Sequence, residues 1–144
     1  MESHKVTRSQ VRVKIDHIGI SVGSIRRSLA FYRKHFGFRC AEKYVHKDIG
    51  MTIAVLKKDG VCLELFEFRK HKKLPAYRRN LDSDLRTLGT KHFSFAVKDI
   101  EGAYTRFRLA RLCFATDMRP FDNGLRYFFI KDPDGILIEV MESK

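Results

Sequence analysis

His17-Ile-Gly-Ile-Ser-Val-Gly-Ser-Ile25, taken with Gly60-Val-Cys-Leu-Glu64-Leu-Phe-Glu67, returns later in the chain as His92-Phe-Ser-Phe-Ala-Val-Lys-Asp-Ile100 and Gly135-Ile-Leu-Ile-Glu139-Val-Met-Glu142. One offset of 75 residues relates His17 to His92, Glu64 to Glu139 and Gly60 to Gly135. A single polar residue on an apolar strand is commonplace. Two such pairs at one offset mark a duplicated module.

Working outward, residues 13–22 alternate around His17 and read as a strand. Apolar residues at Ile25, Leu29, Tyr32 and Phe36 follow at three- and four-residue steps. That spacing predicts an amphipathic helix over 24–36, with Ser24 as N-cap and Gly37 as its stop. Strands are expected near 38–46, 51–57 and 61–68, the last two joined by a hairpin at Asp59-Gly60. The second copy repeats the order: a strand over 91–98, a helix over 99–111 opening at Asp99, and strands near 112–118, 125–131 and 136–142. Its last turn, Asp132-Pro-Asp-Gly135, suits a tight reversal. Each module therefore reads β-α-β-β-β. The division is a flexible N-terminus (1–12), a first module (13–68), a basic linker or lid (69–90) with a short helix after Pro75, and a second module (91–144).

Residues two apart on a strand share a face. Ile18, Ile20 and Val22, with Phe93, Phe95 and Val97, are assigned to the core, as are Val61, Leu63 and Leu65 with Ile136, Ile138 and Val140. The face bearing His17 and His92 then carries small or polar neighbours, and Glu64 and Glu139 share it. A carboxylate centred in Leu-Glu-Leu or Ile-Glu-Val costs several kcal/mol to bury uncompensated, on the order of 2–7 for a polar group alone. Two imidazoles and a divalent cation supply the compensation. Two nitrogens with two carboxylate oxygens suit Zn, Ni, Co, Mn or Fe better than Ca. Elsewhere, Phe31 and Tyr32 read as core, Cys62 as a small apolar filler, Arg119 and Arg126 as solvated, and His4, His35, His46 and His71 as surface residues.

Bulk properties limit the alternatives. The chain has 144 residues, 44% hydrophobic, with a net charge of +12, which fits one compact unit with a sizeable core. No run approaches the roughly 20 apolar residues of a membrane helix. Met1-Glu-Ser-His-Lys5 lacks the apolar stretch of a signal peptide, and Cys40, Cys62 and Cys113 form no close-spaced pair. A cytoplasmic location with reduced thiols is the expectation. Arg69-Lys-His-Lys-Lys73, with Arg78 and Arg79, reads first as a solvated connection and second as an anion-binding rim. No helix-turn-helix, zinc-finger or RNA-binding signature supports nucleic-acid contact.

The chain resembles the vicinal oxygen chelate superfamily of glyoxalases, bleomycin-resistance proteins and extradiol dioxygenases. The matching text is Asp16-His17-Ile-Gly-Ile-Ser-Val, Ser28-Leu-Ala-Phe-Tyr32 with Phe36-Gly-Phe38, Leu63-Glu64-Leu65, Lys91 to Ile100, and Asp132-Pro-Asp-Gly-Ile-Leu-Ile-Glu139. The resemblance implies an α+β fold in which two βαβββ modules form a cup-shaped mixed sheet with helices on its outer face. It places the four metal-ligand positions on His17, Glu64, His92 and Glu139, with one divalent ion per site. By the same resemblance the activity is that of a glyoxalase I-like lyase or isomerase working through a stabilised enolate, with Glu139, or Glu64 by symmetry, as the base. Ser21, Asp48, Phe66, Arg119 and Tyr127 are the candidate substrate contacts, with Arg119 reading first as solvated and the face of Tyr127 left open by the pattern.

Two positions depart from glutathione-using glyoxalases, which typically carry Arg where Ser21 stands and Asn where Phe68 stands. The substrate is accordingly expected to be a small, anionic molecule. An epimerase resembling methylmalonyl-CoA epimerase is the alternative enzyme, on the approximate match Asp48-Ile-Gly-Met51. A metal-free drug-binding module of the bleomycin-resistance type is the alternative outside catalysis. Glu64 disfavours extradiol dioxygenase and fosfomycin transferase chemistry. Family members pair modules within one chain or across a homodimer, and a homodimer sharing its sites is the expectation.

Overall fold

The computed structural model describes residues 11–144. The flexible N-terminus expected over 1–12 therefore lies, for residues 1–10, outside the described residues. Two sheets form. The first orders its strands β1 (Ile18–Ser21), β4 (Val61–Phe68), β3 (Met51–Lys58) and β2 (Arg39–His46). The second orders β5 (Phe93–Val97), β9 (Leu137–Glu142), β8 (Arg126–Lys131) and β6 (Cys113–Phe114), with β7 (Arg119–Pro120) also on β8. In each sheet the first strand runs parallel to the last and the other pairings are antiparallel. This is the α+β, twice-βαβββ architecture the repeat predicts.

Helix α1 (Ile25–Phe36) starts where the side chain of Ser24 accepts from the Arg27 amide, and it stops at Gly37, whose φ of 76° is left-handed. The carboxylate of Glu67 also accepts from the Ile25 amide at 2.6 Å, tying the helix start to the end of β4. Asp99 caps α3 (Ile100–Leu109) through the Gly102 amide in the same way. Between the modules a short helix α2 (Leu81–Leu85) follows a turn at Ala76–Arg78.

Both modules feed one apolar core. Tyr32, Phe38, Leu63 and Leu65 of the first join Phe107, Phe128, Ile130 and Ile138 of the second in a single cluster. The seam is aromatic: the Phe36 and Phe95 ring centroids lie 4.6 Å apart, and Phe36 and Phe107 lie 5.5 Å apart. Two polar ties reinforce it. The buried Tyr32 hydroxyl donates to Asp132 at 3.1 Å, and Asp134 accepts from the Gly23 amide at 2.9 Å while pairing with Arg27.

Four expectations need correction. The strand read over 13–22 forms only over Ile18–Ser21, with the Val22 amide still donating to the Phe66 carbonyl, and β4, which begins at Val61 opposite residue 16, offers nothing further upstream. Val11, Val13 and Ile15 are left 83–88% exposed. The strand read over 112–118 survives only as β6, with β7 starting beyond it at Arg119, since Ala115 and Thr116 both direct their amides to the Phe129 carbonyl, as in a bulge. Val61, assigned to the core, is 39% exposed at the open end of its hairpin. His35 is not a surface residue: it packs edge-on against Phe107, and burial lowers its pKa.

Candidate metal centre and substrate wall

Strand register builds the site. Gly19 pairs with Glu64, and Ser94 pairs with Glu139, so each histidine, two residues earlier, stands on the same face as its carboxylate. The His17 Nε2 lies 3.3 Å from Glu64 Oε2, and the His92 Nε2 lies 3.6 Å from Glu139 Oε2. Two adjacent ligands about 2.1 Å from one ion stand roughly 3.0 Å apart at right angles and roughly 3.4 Å apart in a tetrahedron. The His17–Glu64 pair therefore has the spacing of neighbouring ligands on a common ion, and the His92–Glu139 pair lies slightly beyond it.

The supporting contacts differ between the halves. His17 Nδ1 lies 3.0 Å from Asp16 Oδ2, which fixes the ring with Nε2 toward Glu64. That bond, then the charge of Glu64, raises the His17 pKa, and the same bond lowers that of Asp16. A carboxylate behind an imidazole is a common outer-shell arrangement for a metal-binding histidine. His92 is instead set edge-on against the Phe129 ring, 4.8 Å between centroids, and its buried Nδ1 has no hydrogen-bond partner. The nitrogen of this ring that faces the carboxylate is Nε2, which makes Nε2 the one placed to hold a metal.

Within one chain the halves stay apart: among the described residues no three His, Cys, Asp or Glu side chains gather closely enough to hold a metal ion. The His17–Glu64 half lines an open cavity of about 640 Å³ together with Cys62, Val55, Lys57 and Tyr44. His92 borders a cleft of about 420 Å³ with Ser21, Leu137 and, from the connector, Leu74 and Arg78.

The other anticipated residues divide. Phe66 pairs with Ser21 and Ile53 on the site face, and its ring lies over Gly19, where a Cβ would come within 3.0 Å of Phe66 Cε2. Register also decides the face of β8: Phe129 pairs with Glu139 and Tyr127 with Met141, so Tyr127 faces the site while Phe128 enters the core. Arg119 pairs with Tyr127 and so occupies the same face. Asp48 does not join them. It sits in an exposed turn before Met51, which pairs with Phe68, whereas Glu64 pairs with Val55. Four strand residues, about 13 Å, separate those rows.

Arg126, read as solvated, is tied to Glu142 and Glu101 and is structural. Arg78 and Arg79 of the basic segment are likewise engaged internally, by Asp84 and by the Thr90 and Leu74 carbonyls. Cys62, beside His17 in register, has its thiol pKa raised by burial and stays protonated at neutral pH. Sequence reasoning missed the Lys57–Glu42–Tyr44 group on this wall, because β2 and β3 lie outside the repeated text and only pairing brings them beside Glu64.

Twin βαβββ modules, each presenting a histidine and a glutamate on the concave face of its sheet, define a class. The chain belongs to the Glyoxalase/Bleomycin resistance protein/Dioxygenase superfamily, whose family model matches residues 14–140. It is 28% identical over 131 residues to the uncharacterized protein YwbC of Bacillus subtilis (strain 168), covering 90% of this chain and 97% of that protein. It is 25% identical over 138 residues to a probable lactoylglutathione lyase of Vibrio parahaemolyticus, covering 91% of each. Among solved structures, a glyoxalase family protein from Enterococcus faecalis superimposes with a TM-score of 0.77 at 24% identity, over 90% of this chain and 97% of that one. No described helix is long and apolar enough to cross a membrane.

Proposed function

We propose that the protein is a divalent-metal-dependent enzyme of the glyoxalase I type, a lyase or isomerase acting on a small anionic substrate with adjacent oxygens. The observation that carries this reading is the pair of equivalent half-sites, each with a nitrogen and a carboxylate oxygen close to the separation of neighbouring metal ligands. His17, Glu64, His92 and Glu139 would hold the ion, drawn from Zn, Ni, Co, Mn or Fe. When bound, such an ion supplies Lewis-acid polarisation of the substrate oxygens and stabilises the developing enolate charge.

The chain's own residues do the rest. Glu139, the more buried of the two carboxylates at 13% side-chain exposure against 27% for Glu64, moves the proton on the carbon next to the carbonyl. Phe129, Tyr127 and Phe66 wall the reacting carbon from water. Asp16 holds the His17 ring in its binding orientation. Because the halves do not meet within one chain, the complete site is assigned to a homodimer, with His17 and Glu64 from one protomer and His92 and Glu139 from the other. Ile15 lines the cavity beside His17 and is exposed, as are Val11 and Val13, which supports a second copy as their cover. The position of Asp48 takes support from the epimerase alternative. Intact half-sites weigh against a metal-free binding module.

Glu139→Gln is the direct test. It should retain metal, measured by elemental analysis after dialysis, while turnover of the hemithioacetal of methylglyoxal and glutathione, or of another vicinal-oxygen substrate found active with the wild type, falls at least about a hundredfold. Unchanged turnover would remove Glu139 as the base.

A further inference from the structure

The 75-residue offset that relates His17 to His92 also relates Asp16 to Lys91, so the residue before each histidine changes sign between the halves. In the first half the Asp16 carboxylate lies 3.0 Å from His17 Nδ1 and backs the ring. In the second an ammonium stands at the equivalent position, and His92 Nδ1 is left buried with no hydrogen-bond partner among the described residues. The Lys91 Nζ is buried and unpartnered in the same way. Buried polar atoms without partners are few in folded proteins. Two on consecutive residues, both at one cleft, point to an acceptor supplied from outside the chain.

That cleft, of about 420 Å³, lies between β1 and the start of β5, and Lys91 and His92 both line it. Its other charged lining residues are Arg78 and Asp84. Asp84 accepts from Arg78 Nε at 3.0 Å, whereas the Lys91 Nζ stays 3.6 Å away, outside hydrogen-bond reach. Arg78 is committed to the Thr90 carbonyl as well. Two cations against one carboxylate leave a single positive charge, which one bound monoanion would balance. The remaining walls are largely apolar, Ile18, Ile20, Phe93 and Leu137 among them. Such surroundings strengthen a charge-assisted hydrogen bond.

We propose that this cleft takes a small carboxylate, one oxygen accepting from His92 Nδ1–H and the other from the Lys91 ammonium. The anion does for His92 what Asp16 does for His17: it fixes the tautomer and orientation that leave Nε2, the nitrogen facing Glu139, able to hold a metal. Nδ1 lies across the ring from Nε2, so this anion is distinct from the oxygens a substrate would give the ion. One half-site thus carries its outer carboxylate in the sequence, and the other draws it from solution. The carboxylate site stands on the cleft alone, while its effect on metal binding rests on the metal-enzyme reading.

Histidine ¹⁵N NMR of the metal-free protein, with acetate replacing chloride at constant ionic strength, tests the site. The His92 Nδ1 resonance should move saturably toward its protonated position, while His17, whose Nδ1 already faces Asp16, should hold still. Lys91→Met, which leaves Asp84 paired with Arg78, should weaken acetate binding at least about tenfold, the loss expected for a charge-assisted contact. Co²⁺ binding by the wild type should tighten at least about tenfold in saturating acetate, since an outer-shell partner is worth about 10–100-fold in metal affinity. Lys91→Met should show no such gain. Acetate coordinating the ion directly would help both proteins alike, so an equal gain, an unmoved His92 resonance, or matching shifts at both histidines overturns the proposal. A wild type that binds acetate at His92 but no Co²⁺ overturns the metal reading and leaves the carboxylate site standing.

Discussion

Asp84 is 2% exposed and sits between two cations, Arg78 Nε at 3.0 Å and Lys91 Nζ at 3.6 Å. Lys91 directly precedes His92, and Arg78 also donates to the Thr90 carbonyl at 2.8 Å, so this cluster anchors the connector where the second half-site begins. Asp84→Ala leaves the Lys91 ammonium, already without a hydrogen bond, buried and uncompensated. Breaking a buried pair by removing one partner costs about 3–5 kcal/mol. Arg78, with 35% of its side chain exposed, can turn to water, which trims the expected loss to about 2–4 kcal/mol. At about 2.1 cal/mol/K per residue of unfolding entropy, a chain of this length loses about 3 °C per kcal/mol, or roughly 7–13 °C in Tm. Thermal unfolding followed by circular dichroism measures it. Adding Lys91→Met should restore part of the loss, because the stranded charge is then gone. A Tm within about 1 °C of wild type for Asp84→Ala, or a double variant worse than the single, would refute the account.

Tyr32→Phe should cost about 1–2 kcal/mol by removing a buried hydrogen bond to Asp132 across the module seam, read as a lower urea midpoint at unchanged m. Burial above all, and then the nearby Asp134 charge, raise the Asp132 pKa. For a raised carboxyl pKa the associated stability is fully present below the unfolded value, near pH 4, and is lost as pH rises through the folded value. Urea denaturation at pH 4 and pH 6 should therefore show wild type gaining on Asp132→Asn as the pH falls; a constant difference would contradict this. Ile15→Asp should shift sedimentation equilibrium toward monomer and lower metal retention together, whereas His17→Ala should lower metal retention alone.

Much of the fold was legible because local chemistry dictates it. Ser24, Gly37 and Asp99 cap helices wherever the rest of the chain lies, and alternation sorts Ile20, Leu63, Leu65, Ile138 and Val140 inward before any partner strand is known. The repeat put His17 with Glu64 and His92 with Glu139 for the same reason, since period-two geometry and a duplicated order leave few other pairings. Tertiary structure alone decided where β1 begins, because that depends on how far β4 extends. It also decided which face of β8 carries Tyr127 and that Arg78, Arg79 and Arg126 are engaged internally. Those outcomes depend on register between strands distant in sequence, and a linear pattern carries the period of a strand but not the phase of its neighbour.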